Sequence, residues 1–545
     1  MKAFLMYRDR DFDVTREPGP HEKDLVRDLE LETLFNAMAA GDTFLLAVAK
    51  RAVPASVQDV QTVLYRQEIL RDCMANTAIV RNLYDLAVET IEKEKKNYWG
   101  IFGDHPGSLL HRSVEVLQMF AEMLQRLKME VDTHAGKFKS EGFKRLFSTL
   151  QQELSDDYFE IVRDHLYRLK FRRGALISAR LGKGNKGIDY VLRKPNADRR
   201  SWIEQLFMQG PPSYTFHIPE RDEAGGRAAS ELNSRGIASV ARTVAQSNDH
   251  ILSFFWMLRA ELAFYIGCLN LHDRLSGRTE PVCFPEPAAA GEQRHSVRGL
   301  SDICLALRTG QTVVGNDLDG DNKDLVVITG ANQGGKSTFL RSIGLAQLMM
   351  QCGMFVPAKS FCANLCTALF THYKREEDAE MRSGKFDEEL RRMSDMADHL
   401  SSDCLLLFNE SFQSTNEREG SEVGRQIVQA LLDARCKVFF VTHMYDFAHV
   451  LYDRKSPTAT FLRAERKEDG TRTFRLVPGA PLSTSFGKDL YDQVFAASDA
   501  KSLDADKSAV VAESQRPGRD DAARRRNPDG NLHTDNAERS AGAGS

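Results

Sequence analysis

The chain has 545 residues, of which 42% are hydrophobic and 28% charged, with 73 lysines and arginines against 77 aspartates and glutamates. This composition is typical of an ordinary soluble globular protein, and at roughly 150 residues per domain the length predicts about three or four folded units. The formal net charge of −4 excludes a chain that is basic throughout, so any surface that binds nucleic acid must be a local patch.

The N-terminus predicts no secretory signal, because Lys2 interrupts its apolar residues and charged residues follow at once from Arg8. The longest apolar run, residues 251–271, carries Arg259 and Glu261 near its middle. We interpret this run as a buried helix rather than a membrane span. Nine scattered cysteines form no CxxC motif, which favours reduced thiols in the cytosol or nucleus and predicts a cytoplasmic protein.

The first half of the chain predicts a mainly helical domain, residues 1–276. Residues 29–169 carry apolar residues at three and four spacing, which predicts a series of long helices. Residues 174–181 and 188–192 predict two strands of a β-hairpin around a glycine-rich turn. Residues 229–275 predict one long helix whose apolar spacing is typical of a core or coiled-coil seam.

The second half predicts a different architecture. Residues 277–294 are rich in proline and alanine and predict a linker. In residues 295–497, short apolar runs alternate with helical stretches, which is typical of a parallel sheet with crossover helices. Residues 498–545 have almost no large apolar side chains and predict a disordered tail. We therefore expect two folded units and a tail.

The sharpest motif is GxxxxGK[ST], placed between an apolar strand and a helix. Glycines let backbone N–H groups wrap a phosphate, the lysine would reach the β and γ phosphates of ATP, and the serine would ligate Mg²⁺. The alternative is a structural glycine loop, which the strand and helix context disfavours. The candidate ATP-binding residues of this motif are Gly330, Ala331, Asn332, Gln333, Gly334, Gly335, Lys336, Ser337 and Thr338.

A second apolar strand, residues 404–408, ends in Asn409 and Glu410 as a Walker B strand ends in acidic residues. An aspartate normally holds the water shell of the metal, so Asn409 should weaken Mg²⁺ binding at Ser337 without abolishing it. Glu410 could orient or deprotonate the attacking water. His443, at the end of the next strand, could sense the γ-phosphate, although a lone histidine there is often structural.

These motifs resemble those of the MutS family of DNA mismatch repair ATPases. GANQGGKST is similar to the family's GPNMGGKST, residues 353–358 to GSFVPA, residues 441–444 to ATHY, and residues 409–420 to the segment after the family's Walker B strand. Residues 65–70 resemble the opening of the family's helical core and lever domain. The resemblance implies an α/β P-loop NTPase domain of the ABC/MutS type, preceded by a mainly α-helical core and lever domain, with ATP and Mg²⁺ as cofactors.

The resemblance also implies a dimer. Residues 383–390 align with the family's STFMxEM signature through Phe386 and Glu389, which implies that Ser383 or Gly384 caps the γ-phosphate bound by the partner subunit of a homodimer. The family's mismatch readers use a Phe-x-Glu wedge in an N-terminal domain. Here the lever-like helices begin almost at once, so we expect no such domain, and recognition of a single mispair is in doubt. We expect no Smr-type nuclease domain either.

A basic cluster lies around the predicted hairpin, where residues 166–200 contain eleven basic and two acidic residues. Such clustering suits phosphate contacts of low sequence specificity, and the alternative is a solvated charged face. The candidate nucleic-acid-binding residues are Arg172, Arg173, Lys183 and Lys186.

Together these observations predict a MutS-like ATPase whose ATP binding and hydrolysis switch a dimeric clamp on double-stranded or branched DNA, in repair or recombination. Two alternatives stay open: a MutS-like ATPase directed to RNA or ribosomes, and a nucleotide-gated scaffold with little turnover. A transporter-type or SMC-type ATPase is less favoured, because the chain has no LSGGQ segment and no very long coiled coil.

Overall fold

The computed structural model describes residues 1–98, 105–171, 174–194, 214–276, 281–375 and 384–483. The predicted tail and residues 484–497 lie outside these ranges. Helices dominate the first half, as the apolar spacing predicts: α1 Glu22–Asp28, α2 Leu31–Ala39, α3 Thr43–Ala52, α4 Val60–Ala75, α5 Thr77–Tyr98, α6 Pro106–His134, α7 Glu141–Glu153, α8 Asp156–Leu169 and α9 Glu223–Ser276.

Local chemistry sets several of these helix boundaries. The side chain of Asp42 accepts hydrogen bonds from the first N–H groups of α3, and Asp59 does the same for α4, which satisfies donors that have no partner inside the helix. Helix α9 is long and apolar enough to cross a membrane, but 72% of its most apolar window is buried inside the protein. It packs against α2, α3, α5 and α6 and is a core helix, as predicted.

The predicted β-hairpin is present. Strand β1, Leu176–Leu181, pairs antiparallel with β2, Gly187–Arg193. The turn closes with a hydrogen bond of 2.8 Å from the Gly182 N–H to the Lys186 carbonyl. Gly184 has a φ of 69°, which a glycine adopts at little cost. The sequence therefore predicted both the strands and the turn.

The second half contains two sheets and the remaining helices. The elements are β3 Glu286–Ala288, β4 His295–Leu300, α10 Ile303–Thr309, β5 Asn316–Asp319, β6 Leu325–Gly330, α11 Lys336–Gln351, β7 Ser360–Asn364, β8 Leu369–Tyr373, α12 Lys385–Ala397, β9 Leu405–Asn409, α13 Glu417–Asp433, β10 Lys437–Val441, α14 Tyr445–Asp453, β11 Ala459–Arg466 and β12 Arg472–Pro478.

The larger sheet has six strands in the order β12-β11-β6-β10-β9-β8, all parallel except β12. Its central strand β6 is buried along its whole length, as in parallel sheets covered on both faces. Val326 and Ile328 belong to the core cluster that holds α11 and the N-terminal helices, whereas Leu325 and Val327 belong to the cluster on the other face. This alternation places α11 on one face of the sheet.

The smaller sheet has four strands in the order β3-β7-β4-β5. Strand β3 lies inside the segment that we predicted as a linker, and it pairs parallel with β7. The described part of the predicted linker, residues 281–294, is therefore packed into the fold and is not a free connection. Three residues make a strand too short to recognise in a stretch rich in proline and alanine.

The two halves of the chain share one core, and the described residues all belong to a single compact unit that ends at Ser485. Arg341 on helix α11 pairs with Glu30 just before α2 and with the buried Asp302 before α10. At the other end of α11, Arg66 on α4 donates to the carbonyl of Cys352, the residue after the helix, and also to the carbonyl of Met6. The N-terminal helices therefore contact both ends of α11 directly.

Candidate functional site

Three loops meet at the carboxyl edge of the larger sheet, where β6, β10 and β9 lie side by side. Val441 of β10 is in register with Ile328 of β6 and with Asn409 of β9. The strands therefore end at one level, which brings the loop after β6, the Asn409 and Glu410 pair, and His443 into a single site. Ligands of open α/β sheets bind at this edge.

The loop after β6 has the backbone that the glycine motif predicts. Gly330 and Gly335 have φ angles of 106° and 87°, which favour glycine. A Cβ atom at Gly334 would lie 2.5 Å from the Cβ of Ala464, so close packing against β11 also requires a glycine there. The loop ends where α11 begins, at Lys336, and the N–H groups at the start of this helix suit a phosphate.

The Lys336 side chain is 5% exposed. Its ammonium group donates hydrogen bonds to the carbonyls of Gly330 and Ala331, at 3.0 and 2.9 Å. Burial lowers the pKa of Lys336 to about 8, with the Glu410 charge opposing this shift and the Arg472 charge adding to it. Arg472 lies beside the loop because its Nε donates to the Asn332 carbonyl at 3.2 Å. Lys336 is therefore held inside the phosphate loop by groups that an anion could replace.

Ser337 and Asn409 are in direct contact, since the Ser337 hydroxyl donates to Asn409 Oδ1 at 2.8 Å. Both are the oxygen ligands that the sequence predicted for Mg²⁺. Among the residues that the structure describes, no group of three His, Cys, Asp or Glu side chains could hold a metal ion. The pair fits a magnesium ion that keeps several waters and takes its other ligands from nucleotide phosphates.

Glu410 and His443 face each other across the ends of β9 and β10. Glu410 Oε1 lies 3.0 Å from His443 Nε2, and the Glu410 N–H donates to the Val441 carbonyl at 2.9 Å. The hydrogen bond from His443 lowers the pKa of Glu410, and the charges of His443 and Lys336 add to this effect against burial. Glu410 is therefore an ionised, oriented carboxylate beside the phosphate loop.

A hydrogen-bonded cluster next to Glu410 connects the loop after β9 to β8 and α12. The sequence did not predict this cluster. His372 of β8 lies 2.8 Å from the Ser411 hydroxyl through Nδ1 and 3.1 Å from the Glu389 carbonyl through Nε2. The Ser414 hydroxyl donates to the Glu389 carboxylate at 2.9 Å. Burial lowers the pKa of His372 to about 4, so this histidine is a neutral structural group. The cluster holds α12, which contains most of the predicted signature segment, against the loop after β9.

A cavity of about 480 Å³ adjoins the phosphate loop and was also not predicted. Gln333, Gly335 and Thr338 of the loop and helix line one side. Phe474 of β12 and nine residues between 300 and 316 line the rest, where polar and apolar side chains are mixed and most of the exposed surface is apolar. An apolar cavity beside a phosphate site has the size and chemistry to accept the base of a nucleotide.

The candidate nucleic-acid residues lie elsewhere. Lys183 and Lys186 are exposed at the turn of the hairpin β1 and β2. Arg172 and Arg173 lie outside the described residues, and so does Ser383 of the predicted signature segment. The structure therefore brings together the predicted phosphate, metal and catalytic residues and leaves the basic hairpin as a separate exposed surface.

Comparison with known proteins agrees with this arrangement. Residues 58–278 match the model of the MutS2 N-terminal domain, and residues 326–496 match the model of MutS domain V. The chain belongs to the MutS family. Within this MutS family member, the domain V match contains the whole phosphate loop together with Asn409, Glu410 and His443, and the other match contains the basic hairpin.

Individual relatives share part of the chain. The DNA mismatch repair protein MutS of Leptospira interrogans is 29% identical over 319 residues, which are 56% of this chain and 36% of that protein. MutS protein homolog 4 of Mus musculus is 28% identical over 153 residues, 28% of this chain and 16% of that protein. This MutS family member therefore spans about a third or less of the length of these curated relatives.

Proposed function

We propose that this protein is a MutS-like ATPase that binds Mg²⁺ and ATP at the carboxyl edge of its larger sheet and uses ATP binding and hydrolysis to switch a dimeric clamp on DNA, in repair or recombination. The observation that carries the proposal is the convergence of Lys336, the Ser337 and Asn409 pair, and the Glu410 and His443 pair. Each element alone has a structural explanation, whereas their meeting at one edge beside a base-sized cavity supports nucleotide hydrolysis.

Each group of the site has a separate role in phosphoryl transfer. Lys336 exchanges the carbonyls of Gly330 and Ala331 for the β and γ phosphates, and its charge balances theirs. Ser337 and Asn409 would hold Mg²⁺, which neutralises charge on the transferred phosphoryl group when it is bound. Glu410 positions the attacking water and accepts its proton, and His443 keeps the Glu410 carboxylate oriented and ionised.

Coupling to the helical half has a physical route in the structure. Arg341 lies on α11, five residues after Lys336, and pairs with Glu30 and Asp302. A displacement of α11 on nucleotide binding would break or shift a pair in which Asp302 is fully buried. Such pairs favour discrete arrangements over gradual ones. This route supports a clamp whose helical half responds to ATP.

DNA is the proposed ligand of the clamp because the exposed hairpin carries Lys183 and Lys186 within a segment of strong positive charge, and because DNA mismatch repair is the function in the names of the curated MutS relatives. The decisive experiment measures ATP turnover by the full-length protein with duplex DNA, branched DNA, structured RNA and ribosomes. Stimulation by DNA together with loss of turnover in Lys336→Ala supports the proposal. Stimulation by RNA or ribosomes, without stimulation by DNA, would mean that the ligand of the clamp is RNA or the ribosome rather than DNA.

A second candidate is a nucleotide-gated scaffold with little turnover, which Asn409 favours. The neutral amide of Asn409 gives Mg²⁺ less attraction than a carboxylate does. In that case ATP binding would still require Lys336, and Glu410→Ala would change neither the slow turnover nor the lifetime of bound ATP. Single-turnover hydrolysis by the parent and Glu410→Ala proteins separates the two candidates.

A further inference from the structure

A second cavity, of about 160 Å³, lies at the edge of the sheet opposite to the ATP site. Cys404 and Cys436 directly precede β9 and β10 and both line this cavity, as does Cys366. Three thiols around one cavity have no role in the proposed ATPase. Cys404 and Cys436 lie at the starts of the strands whose far ends lead to Glu410 and His443.

Cys404 and Cys436 are cross-strand neighbours. The residues that follow them, Leu405 and Lys437, are partners in the parallel ladder, and the Lys437 N–H donates to the Cys404 carbonyl at 2.9 Å. Adjacent strands lie about 4.8 Å apart, which is inside the range of about 4.4 to 6.8 Å that Cα atoms span in a disulfide. The backbone therefore already has the spacing that a disulfide requires.

Both sulfur atoms also reach the same residue. Cys404 Sγ accepts a hydrogen bond from the Ser401 N–H at 3.4 Å, and Cys436 Sγ lies 3.6 Å from the Ser401 carbonyl oxygen. The Thr367 hydroxyl lies 3.3 Å from Cys404 Sγ. The two side chains therefore lie on one side of the ladder, and the donors gather at the sulfur of Cys404.

This asymmetry makes the two thiols chemically unequal. The hydrogen bond from Cys436, followed by those from Thr367 and Ser401, lowers the pKa of Cys404 despite burial. The hydrogen bond to Cys404 raises the pKa of Cys436. In contrast, burial raises the pKa of Cys73 in the helical half. A thiolate beside a neutral thiol is the arrangement of a nucleophilic and a resolving cysteine.

The cavity has room and partners for a small polar molecule. His295 and Gln347 line it and are buried. Within the described part of the chain, His295 Nε2 and Gln347 Oε1 have no hydrogen-bond partner, which in a buried position favours a bound water or a molecule of similar size. The exposed residues Gln293 and Arg435 line the same cavity, so it reaches the protein surface.

We propose that Cys404 and Cys436 form a peroxide-sensitive dithiol that closes to a disulfide. The Cys404 thiolate attacks one oxygen of hydrogen peroxide and the O–O bond breaks. Hydroxide is released from the peroxide, and Cys404 becomes a sulfenic acid. The Cys436 sulfur then attacks the Cys404 sulfur, the S–O bond breaks, and the Cys436 proton leaves with the hydroxide as water. Both thiols are oxidised by two electrons in total, and the peroxide is reduced to water.

The test uses the full-length native protein, first reduced and then treated with hydrogen peroxide at equimolar and tenfold excess. Non-reducing peptide mapping by mass spectrometry is expected to show a peptide pair joined through Cys404 and Cys436, with the loss of two hydrogen atoms, and dithiothreitol is expected to reverse it. Absence of this pair, or joining of other cysteines at the same rate, would overturn the proposal. The readout is a covalent bond, so it does not depend on ATP hydrolysis.

One variant and one control separate the roles of the sulfurs. Cys436→Ala removes the resolving thiol, so the sulfenic acid is expected to persist at Cys404 and to be trapped by dimedone. Cys73→Ala, changed in the helical half, is expected to form the disulfide as the parent does. If dimedone labels Cys404 in Cys436→Ala no faster than it labels Cys73, the assignment of Cys404 as the nucleophile is wrong. The parent experiment remains decisive if a variant does not fold.

Discussion

Glu410 Oε1 and His443 Nε2 lie 3.0 Å apart across the ends of two neighbouring parallel strands. The two residues are 33 positions apart in the chain, and the pairing of β9 with β10 brings them together. Glu410 also has a φ of 55°, a backbone conformation that non-glycine residues adopt at a cost and that is frequent at functional sites. The pair defines the base of the proposed reaction.

Replacing Glu410 with Gln should leave ATP bound but slow its hydrolysis by about 10² to 10⁴, the usual contribution of a general base. The amide keeps the shape of the side chain and cannot accept the proton of water. Single-turnover hydrolysis and filter binding of labelled ATP measure the two effects. Glu160→Gln, an exposed change on α8, serves as the matched control. Parental hydrolysis by Glu410→Gln would show that another group is the base.

Replacing His443 with Ala should shift the pH dependence of hydrolysis. The hydrogen bond from His443 is the largest cause of the lowered pKa of Glu410, so its loss raises that pKa. Because the base must be ionised, the rate of the variant should fall at a higher pH than that of the parent when the solution is acidified. Because the pKa of Glu410 is lowered from the ordinary value of 4.5, the rate is measured from about pH 4 to pH 7, and superimposable acidic limbs would contradict the prediction.

Replacing Asn409 with Asp should strengthen Mg²⁺ binding several-fold and raise turnover. A carboxylate attracts the metal and its waters more strongly than an amide does, and the Ser337 hydroxyl can still donate to it. The Mg²⁺ concentration that gives half-maximal ATPase activity measures the effect. Asn409→Ala, which removes the oxygen, should move this concentration in the opposite direction. Equal Mg²⁺ requirements for all three proteins would place the metal elsewhere.

The affinity for ATP should fall as the pH rises above about 8. Lys336 has a pKa lowered to about 8 when no nucleotide is bound, and the phosphates should raise it because they favour the charged form. Above pH 8 the free protein must therefore take up a proton on binding ATP, whereas at pH 6.5 it need not. Calorimetry of ATP binding in two buffers of different ionisation enthalpy measures the number of protons taken up. Equal binding heats in the two buffers at pH 8.5 would contradict proton uptake by Lys336.

Changing Lys183 and Lys186 to Glu should weaken DNA binding and lower its salt dependence. Each lost phosphate contact reduces the slope of log affinity against log salt by about 0.9 for duplex DNA. Fluorescence anisotropy with duplex and branched DNA at several salt concentrations measures the slope. Lys144→Glu on α7 alters a similarly exposed lysine outside the hairpin. An unchanged slope in the double variant would exclude the hairpin as the contact surface.

Much of the fold follows from local patterns. The apolar spacing predicted helix α9 within a few residues of its bounds, and the glycines of the turn predicted the hairpin of β1 and β2. The strand β3 was missed because its three residues acquire strand geometry only by pairing with β7. The same holds for the buried Glu261, which accepts hydrogen bonds from the N–H groups of Leu5, Met6 and Phe12. No local sequence pattern predicts that a carboxylate binds the N-terminal segment some 250 positions away.

The sequence by itself determined the phosphate loop, its lysine and serine, and the polar residues that end two strands, because backbone geometry at a strand and helix junction depends on residues that are close in the chain. Only the tertiary structure decided that Ser337 contacts Asn409 and that Glu410 contacts His443, since both contacts depend on the order and register of strands far apart in the chain. It also decided the base-sized cavity and the position of Cys404 beside Cys436. These features arise from packing between distant elements, which residue spacing does not encode.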